Sequence, residues 1–418
     1  MFDIVKNLLD TDKYKLMMLQ FIWLHQRKRK GRFTFKNRTD VNLLNYMTVE
    51  QVQAELDHIK QMTMTQGMIE RLRNHPTLGK QLQPAFLTWL RSYKLSDIHV
   101  GVVKGKLAIY AQGKWTAITM WETFIMNVVN RIYFRAKCKE LGLTEEEVIA
   151  SGRDKLIENI DIVMESDAVV TDFSTRRRWS YDWQFEVVAT CAATMGKQFA
   201  GTSNIWIALE LGIEAIGTIA HEMDMGYQGI YHKEDDARGY MYSHDLLLEQ
   251  WFALYGTILS IALSDTYGSD YFLEHFKAFA ELWIGTRHDS GDPFAYGEKI
   301  IKFYELIGID PKTKLIVFSD GLDARLIVQL NAHFRGRIKL AFGWGTNLGN
   351  NMGFQNYENN RGLKALSIVC KLTHISGRAT VKLSDNRKKL TGRTSAVLRV
   401  KRLTNYDRYE HVNVTCLV

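Results

Sequence analysis

From about residue 165 onward the sequence repeats one layout: a short apolar run, a cluster of polar or glycine residues, then a stretch with helical spacing. The runs are DAVVTDF (167–173), QFAGTSN (198–204), EAIGTIAHE (214–222), SIALSDT (260–266), ELWIGTRHDSGD (281–292), KLIVFSDG (314–321) and KLAFGWGTN (339–347). Their brevity and their β-branched and aromatic content predict seven strands. After the fifth run, Asp292 is a candidate helix N-cap, Pro293 suits the first helical position and Gly308 the C-terminal cap. Ile300, Phe303, Tyr304 and Ile307 then fall on one helical face. Strands that alternate with helices and end in polar residues belong to a (β/α) barrel or an open parallel sheet, and both place ligands at the C-terminal strand edge. No GxGxxG follows an early strand, so an irregular α/β barrel is favoured over a dinucleotide-binding sheet.

Residues 1–130 follow a different pattern. VEQVQAELDHIKQM has helical spacing, while GKLAIYAQGKW and AITMW look strand-like, which predicts an N-terminal α+β domain before a barrel domain over 131–365. The first residues, MFDIVKNLLDTDKYKL, carry charges throughout, so no signal-like apolar region exists and a cytoplasmic protein is expected. The uncharged run Gln250–Ser264 is shorter than the ~18–20 apolar residues of a membrane span and predicts a buried helix entering a strand. Cys138, Cys191, Cys370 and Cys416 are widely spaced, which fits reduced thiols rather than disulfides or a zinc ribbon. The net charge of +8 and the run HQRKRKGRF (25–33) admit a nucleic-acid partner, but binding of anionic phosphates explains the same excess.

The chemistry collects at the predicted strand ends. TDFSTRRRWS (171–180) holds three arginines, which read either as a solvated face or as bidentate ligands for carboxylate and phosphate. Phe173 reads as a core aromatic or as a stacking surface for a flat ligand. GTSN (201–204) and GWGTN (343–347) are Gly/Thr loops suited to presenting amides to phosphate oxygens. His221 ends another run, and Asp265, Asp289, Asp292, Asp320 and Asp323 lie in or beside these loops, with Asp292 assigned to capping. Carboxylates so grouped suit Mg²⁺ or ribose hydroxyls. No Walker A, HExxH or GxSxG pattern occurs, which leaves a phosphate, ribose and divalent-metal site.

NLLDTDKYKL, DFSTRRRWS, GTSN, GTIAHE, LSDTY, GTRHDSGDP, VFSDGLD, FGWGT and KLSD, in this order, resemble the nicotinate phosphoribosyltransferases. These enzymes join nicotinate to the ribose of 5-phosphoribosyl 1-diphosphate (PRPP) with help from ATP. The resemblance implies a barrel beside an N-terminal domain, with the C-terminal segment 366–418 returning to that domain. It implies that Tyr14 reaches from a neighbouring subunit of a homodimer to one face of the pyridine ring, with Phe173 on the other. Arg176 and Arg287 would face the anionic groups. Asp289 and Asp320 would serve ribose hydroxyls or Mg²⁺, Thr202 and Ser203 would contact substrate, and Gly343, Gly345 and Thr346 would hold the 5-phosphate. His221 matches the histidine that this family phosphorylates from ATP.

Three positions depart from the pattern. Ser174 stands where glycine is expected and would be strained if a positive φ were required. Thr286 replaces an apolar residue, and GWGTNLGNNMG extends the phosphate loop. An amide-using sister enzyme would place an aspartate on the GTSN loop, whereas Ser203 and Asn204 leave no charge against a carboxylate. A basic RNA-binding module and a non-catalytic binding protein are the readings from other classes.

Overall fold

The computed structural model describes residues 2–232, 237–354, 362–409 and 411. Among the described residues, eleven strands form two sheets. The first sheet is antiparallel and combines β1 (Lys30–Asn37), β2 (Ile98–Val103) and β3 (Lys106–Lys114) with β10 (Ile368–Ile375) and β11 (Arg378–Ala379), in the order β11-β10-β1-β3-β2. β1 pairs with β10 from Gly31 opposite Ile375 to Asn37 opposite Ile368, so the late part of the chain is hydrogen-bonded into the N-terminal sheet.

The second sheet is parallel: β4 (Val170–Asp172), β5 (Phe199–Thr202), β6 (Ile261–Leu263), β7 (Gly285–His288), β8 (Leu315–Phe318) and β9 (Lys339–Trp344), in the order β5-β4-β9-β8-β7-β6. These short strands are almost wholly buried, as strands covered by helices on their faces must be. Six of the seven predicted strands are present. The seventh, 214–222, makes one parallel bridge, Ala215 to Thr202. Beyond Ile216 the chain passes under Lys13 and Tyr14, where a side chain at Gly217 would meet the Tyr14 nitrogen at 3.0 Å. Packing against the N-terminal segment ends the pairing there, and helix His221–Tyr231 begins.

Local punctuation is as expected in the helix Pro293–Leu306: Asp292 accepts from Ala295 N at 2.8 Å, and Gly308 follows with φ +75°. Gln250–Ser264 spans the end of helix Ala237–Tyr255, a 3₁₀ turn and the start of β6. AITMW is not a strand. Trp115–Ile118 and Trp121–Leu141 are helical, and residues 121–134 are all buried. A helix enclosed on every side loses the two-faced pattern by which helices are recognised. Cys138, Cys191 and Cys370 are buried free thiols, and Cys416 lies outside the described residues. No helix among the described residues is long and apolar enough to cross a membrane.

Candidate active site

The C-terminal ends of β4, β7, β8 and β9 open onto one cavity of about 150 Å³. Phe173, Ser174, Arg176 and Arg177 come from the end of β4, Arg287 and Asp289 from β7, Ser319 and Asp320 from β8, and Gly345, Thr346 and Asn347 from β9. Across from them the late chain contributes Lys371 on β10, and Lys382 and Lys389 beyond β11.

Asp172, fully buried at the tip of β4, organises the near wall. Its carboxylate accepts from Ser174 N (2.9 Å), Ser174 Oγ (2.5 Å), Gln184 Nε2 (2.6 Å) and Thr202 Oγ1 (2.6 Å). Ser174 has φ −85°, an ordinary right-handed conformation, so this position imposes no strain on a side chain. Its hydroxyl is part of the turn. Thr202 and Ser203 are buried behind the cavity wall instead of lining it: Ser203 Oγ donates to Asp12 Oδ1 at 2.7 Å. The GTSN loop thus supports Asp172 and Asp12. Thr286 is fully buried on β7.

The three arginines divide. Arg178 is buried and forks onto Asp10 at 2.6 and 2.7 Å, an internal tie between the barrel and the N-terminal segment. Arg176 and Arg177 face the cavity. Arg176 stands 3.6 Å from both Asp12 Oδ2 and Glu122 Oε1, too far for strong hydrogen bonds, so its fork is available to an anion. Burial first, and then Arg176 and Arg38, push Arg177 down to about 10. Burial likewise brings Lys371 down to about 8, with Arg176 and Lys382 acting in the same direction against Glu122. Cations pressed this close together favour a polyanionic ligand.

Tyr14 corrects one expectation. Its ring is buried 5.5 Å from the Arg176 guanidinium carbon of its own chain, because Lys13 N bonds Ser203 O at 2.6 Å and fixes the start of its helix beside β5. No neighbouring subunit is needed to bring this tyrosine to Arg176. Gly343 differs from its expected role as well. A Cβ there would meet the Phe173 ring at 2.3 Å, so the missing side chain seats Phe173, while Gly345 and Thr346 supply the turn at the cavity.

At the far end His221 is buried, with Nε2 2.9 Å from Asp289 Oδ2 and 3.4 Å from Asp265 Oδ1, and Nδ1 3.0 Å from Thr266 Oγ1. Burial first, then the Lys382 ammonium, lower its pKa to about 4 against the pull of Asp265 and Asp289. The ring is therefore unprotonated on one nitrogen near neutral pH. Lys382 lies 3.4 Å from both Asp265 Oδ2 and Asp289 Oδ2. Although burial opposes ionisation, Lys382 and His221 hold Asp265 down to about 2 and Asp289 well below the carboxylate range. Asp320 stands apart from this group and is joined to it through Lys389, whose ammonium is 2.5 Å from Asp320 Oδ1 and 2.9 Å from the Asp289 carbonyl. Arg287 donates to Thr218 Oγ1 at 2.7 Å and approaches Asp289 Oδ1 at 3.8 Å.

Several residues had no individual signal in the sequence. Glu122 lies in the first turn of its helix, Lys371 is one residue of a strand, and Lys389 sits in a basic run; only Lys382 belongs to a quoted motif, KLSD. Arg38, from just after β1, also lines the cavity.

Two family descriptions match the chain: the nicotinate phosphoribosyltransferase N-terminal domain over residues 9–130 and the nicotinate phosphoribosyltransferase family over 168–408. The fold is similar to that of nicotinate phosphoribosyltransferase from Vibrio cholerae, with TM-score 0.86 and 30% identity over 99% of this chain and 95% of that one. It is also similar to the enzyme from Porphyromonas gingivalis, with TM-score 0.84 and 29% identity over 96% and 100% of the two chains. Agreement in both parts of the chain, in fold and in sequence, leads to one conclusion: this protein is an enzyme belonging to the nicotinate phosphoribosyltransferase family.

Proposed function

We propose that this chain forms nicotinate mononucleotide and diphosphate from nicotinate and PRPP, a step of NAD biosynthesis and salvage, and that ATP hydrolysis drives the transfer through phosphorylation of His221. The observation that carries the reading is the single cavity onto which Arg176, Arg177, Arg287, Lys371 and Lys389 converge with Phe173, Asp289 and Asp320. An anionic aromatic acid and a phosphorylated sugar call for those groups together.

In this reading Phe173 stacks on the pyridine ring, and Arg176 takes the carboxylate in a bidentate pair. The Gly345–Thr346 turn holds the 5-phosphate. The pyridine nitrogen attacks C1 as diphosphate leaves, so the protein's task is orientation and stabilisation of departing charge, which Arg287, Lys382 and Lys389 provide. Asp289 and Asp265 offer close, hard carboxylate oxygens, and Asp265 Oδ1 is buried with no hydrogen-bond partner, which suits Mg²⁺. When bound there, Mg²⁺ would neutralise phosphate charge.

His221 is the first residue of its helix, where unpaired amides favour an added phosphoryl group. Such a high-energy bond can bias a reversible transfer if phosphorylation changes substrate affinity. The buried free thiols fit a reducing, cytoplasmic setting. A homodimer stays part of the proposal, though not as the source of Tyr14.

The test incubates the purified chain with nicotinate, PRPP and Mg²⁺, with and without ATP, alongside His221→Ala and a nicotinamide reaction. Product that rises with ATP, loses that rise in the variant and is absent with nicotinamide is the expected result. Absence of product from both bases would overturn the reading.

A further inference from the structure

Glu122 is a carboxylate on the wall of a cavity rich in cations, and the packing of the core does not call for it. It stands buried in the first turn of helix Trp121–Leu141, with Oε2 2.5 Å from the Lys15 ammonium. Lys15, in helix Lys13–His25, already has a second carboxylate. Glu222 Oε2 lies 2.6 Å from the same nitrogen, and Trp115 Nε1 donates to Glu222 Oε1 at 2.6 Å. One buried ammonium needs one carboxylate for neutrality, and Glu222 meets that need with its other oxygen bonded as well. Glu122, Lys15 and Glu222 together therefore carry a surplus negative charge in the interior, where charge is costly.

That surplus is answered from the cavity. Glu122 Oε1 lies 3.5 Å from Lys371 Nζ on β10 and 3.6 Å from Arg176 Nη1 beyond β4, and all three residues line the cavity. The two cations come from different sheets, and the same oxygen is the neighbour of both. Asp12 Oδ2 stands 3.6 Å from the Nε side of Arg176. Contacts this long leave each cation with donors for a ligand. Burial presses the Lys371 ammonium down to about 8, with Arg176 and Lys382 acting the same way, and Glu122 is the leading group against them. Two nitrogens this near one oxygen are close enough for the two oxygens of a single ligand oxyanion to take one each.

We propose that Glu122 is a positioning residue: anchored by Lys15, it holds Lys371 and Arg176 as a pair that receives one oxyanion of the substrates, the carboxylate of nicotinate or a phosphate of PRPP. The inference rests on the reading of this cavity as the site of both substrates. Glu122 does not bind the anion, which it would repel. It fixes two long, flexible cations before the anion arrives, so that less side-chain freedom is lost when the anion binds.

The experiment compares the full chain with Glu122→Gln, Lys371→Met and the double variant, by thermal melts and by steady-state kinetics with nicotinate and PRPP varied in turn. Glu122→Gln keeps the side-chain shape and leaves Lys15 paired one to one with Glu222, so it should melt close to wild type. Each single variant should raise KM for one substrate by about tenfold or more, with a much smaller change in kcat. A rise for nicotinate assigns the pair to the carboxylate, and a rise for PRPP assigns it to a phosphate. Because Glu122 acts through the cations, its replacement should add far less in the Lys371→Met background than alone. A Glu122→Gln chain that fails to fold would make the carboxylate a requirement of the core and overturn the inference. Unchanged KM values in either single variant, or the same fold-change for Glu122→Gln in both backgrounds, would overturn it as well. If the wild type forms no product, the proposed function falls, and calorimetric binding of PRPP and of nicotinate to the same four proteins decides the Glu122 inference, with unchanged affinities counting against it.

Discussion

Lys389, beyond the last strand, places its ammonium 2.5 Å from the carboxylate of Asp320 at the end of β8, closing the cavity with a residue from the other end of the chain. Both groups line the cavity, and Lys389 also donates to the Asp289 carbonyl at 2.9 Å. Lys389→Met removes a cation where a polyanion is proposed to bind and frees Asp320 to repel it. A charge-assisted hydrogen bond contributes about 1.5–3 kcal/mol, so kcat/KM for PRPP should fall roughly 10- to 100-fold. Steady-state kinetics with PRPP varied checks this, and an unchanged value would remove Lys389 from the proposed phosphate site.

Gly343→Ala tests the seat of Phe173. The added methyl would meet the ring at 2.3 Å, and since Gly343 lies in a strand the backbone has little room to yield. The ring must move, so KM for nicotinate should rise at least about tenfold with a smaller change in KM for PRPP. An equal rise in both would point back to the phosphate.

Lys15 is fully buried between two carboxylates, 2.5 Å from Glu122 Oε2 and 2.6 Å from Glu222 Oε2, and Trp115 Nε1 donates to Glu222 at 2.6 Å. This cluster ties the helix that carries His221 to Glu122 at the cavity wall. Lys15→Met leaves buried negative charge uncompensated and should destabilise the fold by about 3–5 kcal/mol. Denaturant unfolding measures it; a loss below about 1 kcal/mol would contradict the buried network.

His221 predicts a pH dependence whose sign follows from its lowered pKa. Unfolded, the imidazole titrates near 6.5; in the folded site burial and Lys382 bring it down to about 4. Between those values the unfolded chain binds more protons, so stability falls as pH drops from about 6.5 toward 4. The contribution is at most about 3 kcal/mol. His221→Asn should show a shallower decline across that window in the same unfolding series. Phosphoenzyme formation should likewise persist at pH 5.5, where an exposed histidine is mostly protonated.

The strand ends, the helix that starts at Asp292 and the polar loops between them were determined locally. Hydrophobic period, glycine and capping residues act over a few neighbours, so the sequence by itself announced a parallel α/β fold with chemistry along one edge. The identity of the motifs at that edge was equally local. Which of three adjacent arginines faces the ligand was not: Arg178 finds Asp10 across 168 residues, while Arg176 stays open. Lys371, Lys382 and Lys389 reach the cavity because β10 pairs with β1 and carries the late chain across the site, while Glu122 comes to it from the first turn of the helix Trp121–Leu141. Gly343 looked like part of a phosphate loop until packing put Phe173 against it, and Tyr14 needed no second subunit once Lys13 was bonded to Ser203. Short-range conformational preferences set the elements. Long-range burial and charge pairing, which depend on where distant segments come to rest, decided what each side chain could touch.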